Sequence, residues 1–441
     1  MAAQKYSERA EGYVLHVLDH SWPVLSGYSV RSRHLITAQH RLGQKILAVT
    51  GPLHEVDDTE SRDSVVDEVT YLRTPVTGAL ATSILRRRWP LARECQTVRL
   101  LRNRIVELID SRPIRLVYAH SPALCGLAGL QAARARSLPF VYEIRAFWED
   151  AAVDQKRTTA KSLRYKVIRG LEGYVARQAD AVTAIAQPML EDLRQRGIAP
   201  EKLFHVPNGV DADKFAPSEP DEELARKLGT GNSVVFGFFG SLYRYEGVAW
   251  LVRAAAELRA RGLRFRVLII GGGEDEKAIR EAIERCGAGD YIQIIPRVAH
   301  DEIKKYYSIV DVMVFPRLRV RLTELVTPLK PLEALSLKRA VLASDVGGHR
   351  ALLEHEKNAL LFRSEDVDDF CRQAERLITS PAFRRKLGES GREAILRDWD
   401  WKVVAQRYQQ IYDFALQQRD DSGNACPRPR WELSAGSERS S

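Results

Sequence analysis

At 441 residues, 45% hydrophobic and 28% charged, the chain holds enough apolar material for roughly two to three domains and lacks the composition of a disordered polymer. Its five cysteines, Cys95, Cys125, Cys286, Cys371 and Cys426, are odd in number and scattered, which argues against a disulfide framework or a zinc site and suits a reducing cytoplasm. The apolar runs fall far short of the ~20 residues of a membrane-spanning helix, and Met1–Gly12 is polar, without a secretory core.

The net charge is +9, part of it in Arg86, Arg87, Arg88, Arg93, Arg99, Arg102 and Arg104, with Glu94 as the only acid among them. Leu85, Trp89, Leu91, Val98, Leu100 and Leu101 are interleaved with these arginines. A solvated helix face is the plainer reading. The sharper one is a basic amphipathic segment, Arg86–Arg104, on the anionic inner face of the plasma membrane, which would make a cytoplasmic protein peripheral to that membrane. No nucleic-acid motif accompanies the charge, so no nucleic acid is expected as a partner.

Residues 1–11 read as a flexible N-terminus. Short β-branched runs then alternate with amphipathic stretches. Strands are predicted at Tyr13–Leu18, Lys45–Thr50, Val69–Arg73, Arg115–Ala119, Phe140–Ile144, Ala181–Ile185 and Leu203–Val206, and helices at Ser29–Leu42, Val98–Ile109 and Ser162–Gln178. The pattern repeats after residue 233, with strands at Val234–Phe239, Arg266–Ile270, Tyr291–Ile295, Val312–Phe315, Val341–Ala343 and Ala359–Phe362. This predicts an α/β fold: two Rossmann-like lobes facing across a cleft, each a parallel sheet with helices on both faces. The lobes are 12–206 and 234–395, joined by a Pro-, Gly- and acid-rich connection at 207–233. Residues 396–418 form a C-terminal helix packing back toward the first lobe, and 419–441 a disordered tail.

In such sheets ligands bind outside the carboxyl ends of the strands. There the first lobe offers Gly27 at a helix start, His120, and Arg145 followed by Phe147, Trp148, Glu149 and Asp150. The last four suit a sugar or acceptor surface, aromatic faces on the ring and carboxylates on its hydroxyls. The second lobe offers Gly240-Ser241, Gly271-Gly272-Gly273, Pro316-Arg317 and Asp345-Val346-Gly347-Gly348-His349-Arg350. Most informative is Thr323–Ala334, which carries Thr327 and Leu329 ahead of Lys330. Pro331 suits a first helical residue, so Lys330 sits at a helix start suited to a diphosphate, and Glu333 falls in the first turn, placed to take ribose hydroxyls. The plain alternative for Glu333 is complementing the helix dipole, worth about 0.3–1 kcal/mol.

Five ordered runs resemble the retaining glycosyltransferases of family four, with the GT-B fold. They are Val206-Pro207-Asn208-Gly209-Val210-Asp211 with Phe215, Phe239-Gly240-Ser241, Gly271-Gly272-Gly273, Leu332-Glu333-Ala334-Leu335 and Ser344-Asp345-Val346-Gly347-Gly348. Tyr142–Asp154, Thr323–Ala334 and Ser344–Arg350 are most similar to members that accompany exosortase and PEP-CTERM sorting in exopolysaccharide-producing bacteria.

The resemblance implies transfer of a sugar from a nucleotide-diphosphate donor to a glycan or lipid-linked acceptor, with retention of configuration and no metal or other cofactor. It implies a first lobe for the acceptor and a second for the nucleotide sugar. Donor-binding residues would be Gly27, Gly240, Ser241, Gly272, Gly273, Arg317, Thr327, Leu329, Lys330 and Glu333. His120, Arg145 and Lys330 would act in catalysis, His120 orienting the donor sugar and the two cations facing the diphosphate.

The chain departs from the family pattern in three places. With seven residues between the family's two glutamates, Leu325 takes the first position and Glu333 the second. Gly240-Ser241 and Glu246-Gly247 stand where the family has Gly-Arg and Lys-Gly. Arg350 replaces the usual acid after Gly-Gly-x. Two rivals remain at this level: a nucleotide-sugar 2-epimerase of the same fold, and a non-enzymatic membrane- or polyanion-binding protein.

Overall fold

The computed structural model describes residues 12–24, 26–54, 63–76, 90–154, 158–231, 233–299 and 302–421. The expected N-terminal segment 1–11, Leu85–Trp89 and the tail beyond residue 421 lie outside them. The chain forms two compact units, one of residues 1–153, 158–207 and 404–441, the other of 154–157 and 208–403.

The first unit is built on eight strands: β1 (Tyr13–Leu18), β2 (Ile46–Thr50), β3 (Asp63–Val66), β4 (Val69–Arg73), β5 (Ile114–His120), β6 (Phe140–Ile144), β7 (Ala181–Ala184) and β8 (Leu203–His205). They lie in the order β3-β4-β2-β1-β5-β6-β7-β8. β2 and β6 are buried at every residue, as a parallel sheet covered on both faces requires. β3 was not evident in the sequence. It pairs antiparallel with β4 through Asp67 and Glu68, both at positive φ (49° and 69°). Such turns usually carry Asn-Gly or Asp-Gly, and Asp-Glu gives no such signal.

The helix over the expected basic segment is longer than predicted, Pro90–Ser111. Val98, Leu101 and Ile105 on it are buried in the core. Arg104 pairs with Glu107 at 2.8 Å. Of the apolar residues expected to meet a membrane, Val98 and Leu101 therefore face the interior, where this helix packs beside helix Ala123–Ala135, and Leu85 and Trp89 lie outside the described residues.

The second unit has six parallel strands: β9 (Val234–Phe239), β10 (Phe265–Ile270), β11 (Ile292–Ile295), β12 (Val312–Phe315), β13 (Ala340–Ser344) and β14 (Leu360–Phe362), in the order β11-β10-β9-β12-β13-β14. Residues 208–231, expected as a connection, belong to this unit and include a helix, Glu222–Lys227, whose cap Asp221 accepts from the Leu224 N–H. The C-terminal helix Trp401–Asp421 belongs to the first unit from Val404 onward. There Tyr408 and Tyr412 are buried, their ring centroids 5.8 and 5.9 Å from that of Tyr118.

Candidate functional site

At the carboxyl edge of the first sheet, β5 ends in His120 and β6 is followed by Arg145. Both side chains are interior. The Arg145 guanidinium gives Nε–H to Glu143 (2.7 Å), Nη1–H to the Tyr28 carbonyl (3.1 Å) and Ser32 Oγ (2.6 Å), and Nη2–H to His120 Nδ1 (2.7 Å). Because a guanidinium only donates, His120 Nδ1 accepts and Nε2 carries the proton. That proton faces His16 Nδ1 at 2.9 Å, and His16 Nε2–H in turn faces Gln39 Oε1 at 3.1 Å. Burial first, and then Arg145, lower His120 to about 4, so its ring is neutral. Burial opposes ionisation of Glu143, but Arg31 and Arg145 outweigh it and hold the carboxyl well below its usual range.

Two of the expected site residues are enclosed here. With both ring nitrogens engaged and no exposure, His120 offers no atom to a donor sugar. Arg145, its fork closed on Glu143, Ser32, Tyr28 and His120, is not a spare cation for a diphosphate. Together they tie β5, β6 and helix Gly27–Arg41 to one another. The aromatic-and-acid surface expected after β6 is also mostly internal. Phe147 is buried beneath the Arg196 guanidinium at 3.8 Å, Glu149 pairs with Arg196 at 2.9 Å, and Asp150 accepts from Tyr165 Oη at 2.8 Å. Trp148 alone of the four is exposed, at 40%. Gly27 is the first residue of its helix, after a capping box between Ser26 and Ser29. A Cβ on it would meet nothing within 4 Å.

In the second unit the carboxyl edge gathers more of the expected residues. Gly240 leaves β9 at φ +146°, and a Cβ there would lie 2.4 Å from Lys330 Cε. Gly271 leaves β10 at φ +152°, where a Cβ would lie 1.8 Å from the Gly240 carbonyl oxygen. Backbone and the lysine stem thus stack in direct contact, with half-buried Ser241 next in the chain. A Cβ on Gly273 would run into the Leu242 carbonyl at 2.5 Å, whereas Gly272 has room, its nearest neighbour Arg297 Nε at 3.5 Å.

Lys330 opens helix Lys330–Ser336, after Leu329 at the cap position. Its ammonium lies 2.9 Å from Glu246 Oε1 and 4.8 Å from the Phe238 ring centre. Arg317, just past β12, closes its fork on the same carboxylate, Nη2 at 3.1 Å and Nε at 3.3 Å, and gives Nη1–H to the Val326 carbonyl. Arg317 is thereby interior, whereas the Lys330 side chain keeps 20% of its surface exposed. Burial disfavours charge on Glu246, yet Arg317 and Lys330 lower it to about 2. Burial also lowers Lys330, against the pull of Glu246.

Glu333 accepts from Tyr307 Oη at 3.1 Å. Burial raises its carboxyl to about 7, against Tyr307 and the Lys330 charge, so Lys330 and Glu333 share one electrostatic neighbourhood. Thr327 is buried, its carbonyl accepting from Asn208 Nδ2 at 2.8 Å, and so shapes the segment ahead of the helix.

Two acids outside the expected donor set belong to this edge. Glu246 stands where the resemblance calls for a lysine, and it binds both Lys330 and Arg317. Glu324, displaced by one residue from the family spacing, accepts from the Gly347 N–H at 2.9 Å and faces Arg350 at 3.5 Å. The Gly-Gly turn fits closely against Glu324: a Cβ on Gly347 would lie 2.3 Å from its carbonyl oxygen. Among the described residues, no three or more of His, Cys, Asp and Glu cluster in a way that could hold a metal ion, and no helix is long and apolar enough to cross a membrane.

Comparison with known proteins agrees with this division. Residues 26–209 match the family model of a glycosyl transferase 4-like domain, and residues 220–394 that of glycosyl transferases group 1. The alpha-maltose-1-phosphate synthase of Mycolicibacterium smegmatis is 28% identical over 56% of this chain. The D-inositol 3-phosphate glycosyltransferase of Nocardiopsis dassonvillei is 29% identical over 63% of it. The matched stretches span 66% and 65% of those two relatives' own lengths. Among solved structures, sucrose-phosphate synthase from Thermosynechococcus elongatus superimposes with a TM-score of 0.72 at 18% identity, over 91% of this chain and 98% of that one. The Anabaena HepE protein in complex with UDP gives 0.68 at 16% identity, over 91% and 99%. With one glycosyltransferase family model on each unit and this fold throughout, the chain belongs to the family-four type of glycosyltransferases of the GT-B fold.

Proposed function

We propose that the protein transfers a hexosyl group from a nucleotide-diphosphate sugar to a glycan or lipid-linked acceptor, the second unit holding the donor. The observation that carries this reading is the placement of Lys330 at the start of helix Lys330–Ser336, held by Glu246 at 2.9 Å beside the bare backbone of Gly240, with Glu333 in the first turn of the same helix. Lys330 suits a diphosphate, and Glu333 a pair of ribose hydroxyls. Two relatives support it: the Nocardiopsis dassonvillei protein is named a glycosyltransferase, and the HepE structure holds UDP.

In this reading configuration is retained by front-face attack. The bond between the acceptor oxygen and the anomeric carbon forms as the bond to the diphosphate oxygen breaks, and the acceptor's proton passes to the departing diphosphate. Lys330 stabilises the charge that grows there, and enclosure by both substrates supplies orientation. Glu246 positions Lys330. His120 and Arg145 act at a distance, by fixing the shape of the first unit's carboxyl edge. A place in exopolysaccharide biosynthesis rests on the sequence resemblance alone.

The test is to incubate the full chain with a panel of nucleotide-diphosphate sugars, with and without glycan or polyprenyl-phosphate-linked acceptors, and to follow nucleoside diphosphate release. Release that depends on an acceptor supports transfer. Donor consumption without an acceptor and with altered sugar stereochemistry would indicate the 2-epimerase instead.

A further inference from the structure

The helix Leu163–Gln178 of the first unit has an exposed face that carries large apolar side chains. Ser162 caps it, its side chain accepting from the Tyr165 N–H. It rests on the core by its second half only: Glu172, Gly173, Val175 and Ala176 are buried, and nothing in the first two turns is. On the opposite side Leu163 is 77% exposed, Val167 54% and Tyr174 47%. With Gly170 they fall at i, i+4, i+7 and i+11, so at 3.6 residues per turn they form one stripe spanning roughly 60°.

The charges around that stripe are of one sign. Lys161, Arg164, Lys166, Arg169 and Arg177 lie along it, Lys166, Arg169 and Arg177 on one flank and Arg164 on the other. None forms an ion pair with an acid among the described residues. The helix's one acid, Glu172, is wholly buried beneath it, accepting from Tyr142 Oη at 2.7 Å, where burial pushes its carboxyl up to about 8. The exposed face is therefore apolar along its centre and purely cationic at its margins.

We infer that this helix lays its Leu163–Val167–Tyr174 stripe onto an anionic lipid surface, with the flanking lysine and arginines at the headgroups. A stripe of this width with cations on both sides matches a helix lying in a bilayer interface, whereas a protein partner of opposite charge would need no apolar centre. Along the helix Pro90–Ser111, the other basic segment, Val98, Leu101 and Ile105 are buried in the core and so are not open to a bilayer. Leu163 and Val167 stand in the first turns of the helix that leads into β7, the end remote from the start of that strand and so toward the carboxyl edge, where ligands enter a sheet of this kind. The docking face thus adjoins the entry side of the unit. The inference holds whatever donor or acceptor the protein takes.

The experiment is flotation of the full chain with vesicles of phosphatidylcholine alone and of phosphatidylcholine mixed with phosphatidylglycerol. The native protein is expected on the mixed vesicles and not on the neutral ones, less so as salt is raised. The pair Lys166→Glu and Arg177→Glu should lower binding by roughly fivefold for each cation removed. The pair Leu163→Ser and Val167→Ser should lower it with all charges kept, which a simple polyanion contact would not show. All four positions are exposed, so an unchanged melting temperature checks folding. The inference is overturned if the native chain ignores the anionic vesicles, or if the Leu163/Val167 variant floats as the native does. It is equally overturned if Arg99→Glu, on the other basic helix, is the change that abolishes binding, or if the stripe variants act only by dissociating a dimer.

Discussion

Glu246 Oε1 lies 2.9 Å from Lys330 Nζ, at the position where related sequences would place a second cation. The same carboxylate holds Arg317 at 3.1 Å, so two cations and one buried anion share the edge of the second unit's sheet. The excess charge there is a single positive unit; Lys330 is the less buried of the two cations by its side chain, at 20% exposed, although its Nζ is itself enclosed. An anionic ligand meets a lysine already fixed in direction, and one that Glu246 also keeps charged against the effect of burial.

Removing that anion should be costly without a ligand and less so with one. Glu246→Gln leaves two cations facing each other in a buried place, which costs about 3–5 kcal/mol. The melting temperature of the variant is expected to fall, and a saturating nucleoside diphosphate should raise it by more than it raises that of the native protein. Thermal melts with and without the nucleotide check this; equal ligand-induced shifts would show that the diphosphate does not meet these cations.

Lys330→Ala should lower turnover by roughly 10²–10³, the usual loss when one charge-stabilising contact is removed. Its side chain is partly exposed, so the variant should stay folded. Steady-state kinetics beside circular dichroism measure this, and near-normal turnover would refute the assignment.

Glu333 should make donor binding depend on pH. Its carboxyl is raised by burial from 4.5 to about 7. Ribose hydroxyls donate to the ionised form, so nucleotide affinity is expected to level off above about pH 7 and to fall by up to tenfold per unit below it. Stability runs the other way. Between the two values the folded state holds a proton that the unfolded state has released, so Glu333 costs more stability as the pH rises through that window. Glu333→Gln should flatten both profiles, which nucleotide titrations and melts from pH 5 to pH 8 would reveal.

The glycines at strand ends should separate into two kinds. Gly271→Ala forces a side chain into φ +152° and against the Gly240 carbonyl, and is expected to cost at least about 2 kcal/mol. Gly27→Ala meets no neighbour and should leave stability unchanged. A raised KM in that second variant, with its melting point intact, would show that a substrate passes close to the bare helix start.

The parallel strands were readable because most are short apolar runs, and those at the sheet centres, such as β2, β6 and β12, are buried at every residue; all strands of the second unit fall where the sequence put them to within a residue or two. β3 was missed because its turn, Asp67-Glu68, lacks the usual glycine. Within the site, Lys330 and Glu333 could be read from a proline marking the helix start. Burial could not. His120 and Arg145 stand at strand ends like site residues, but partners far off in the sequence, His16 for His120 and Ser32 and Tyr28 for Arg145, enclose them. Glu246 was read only as a missing lysine, since its role depends on Arg317, 71 residues further along the chain.

Titration of the native protein and of Lys330→Ala with UDP, GDP and ADP by calorimetry bears most directly on the central claim. The account predicts saturable binding of at least one nucleoside diphosphate by the native chain, weakened severalfold or more in the variant while its fold is kept. Absence of binding for all three, or equal affinity in the two proteins, would contradict it.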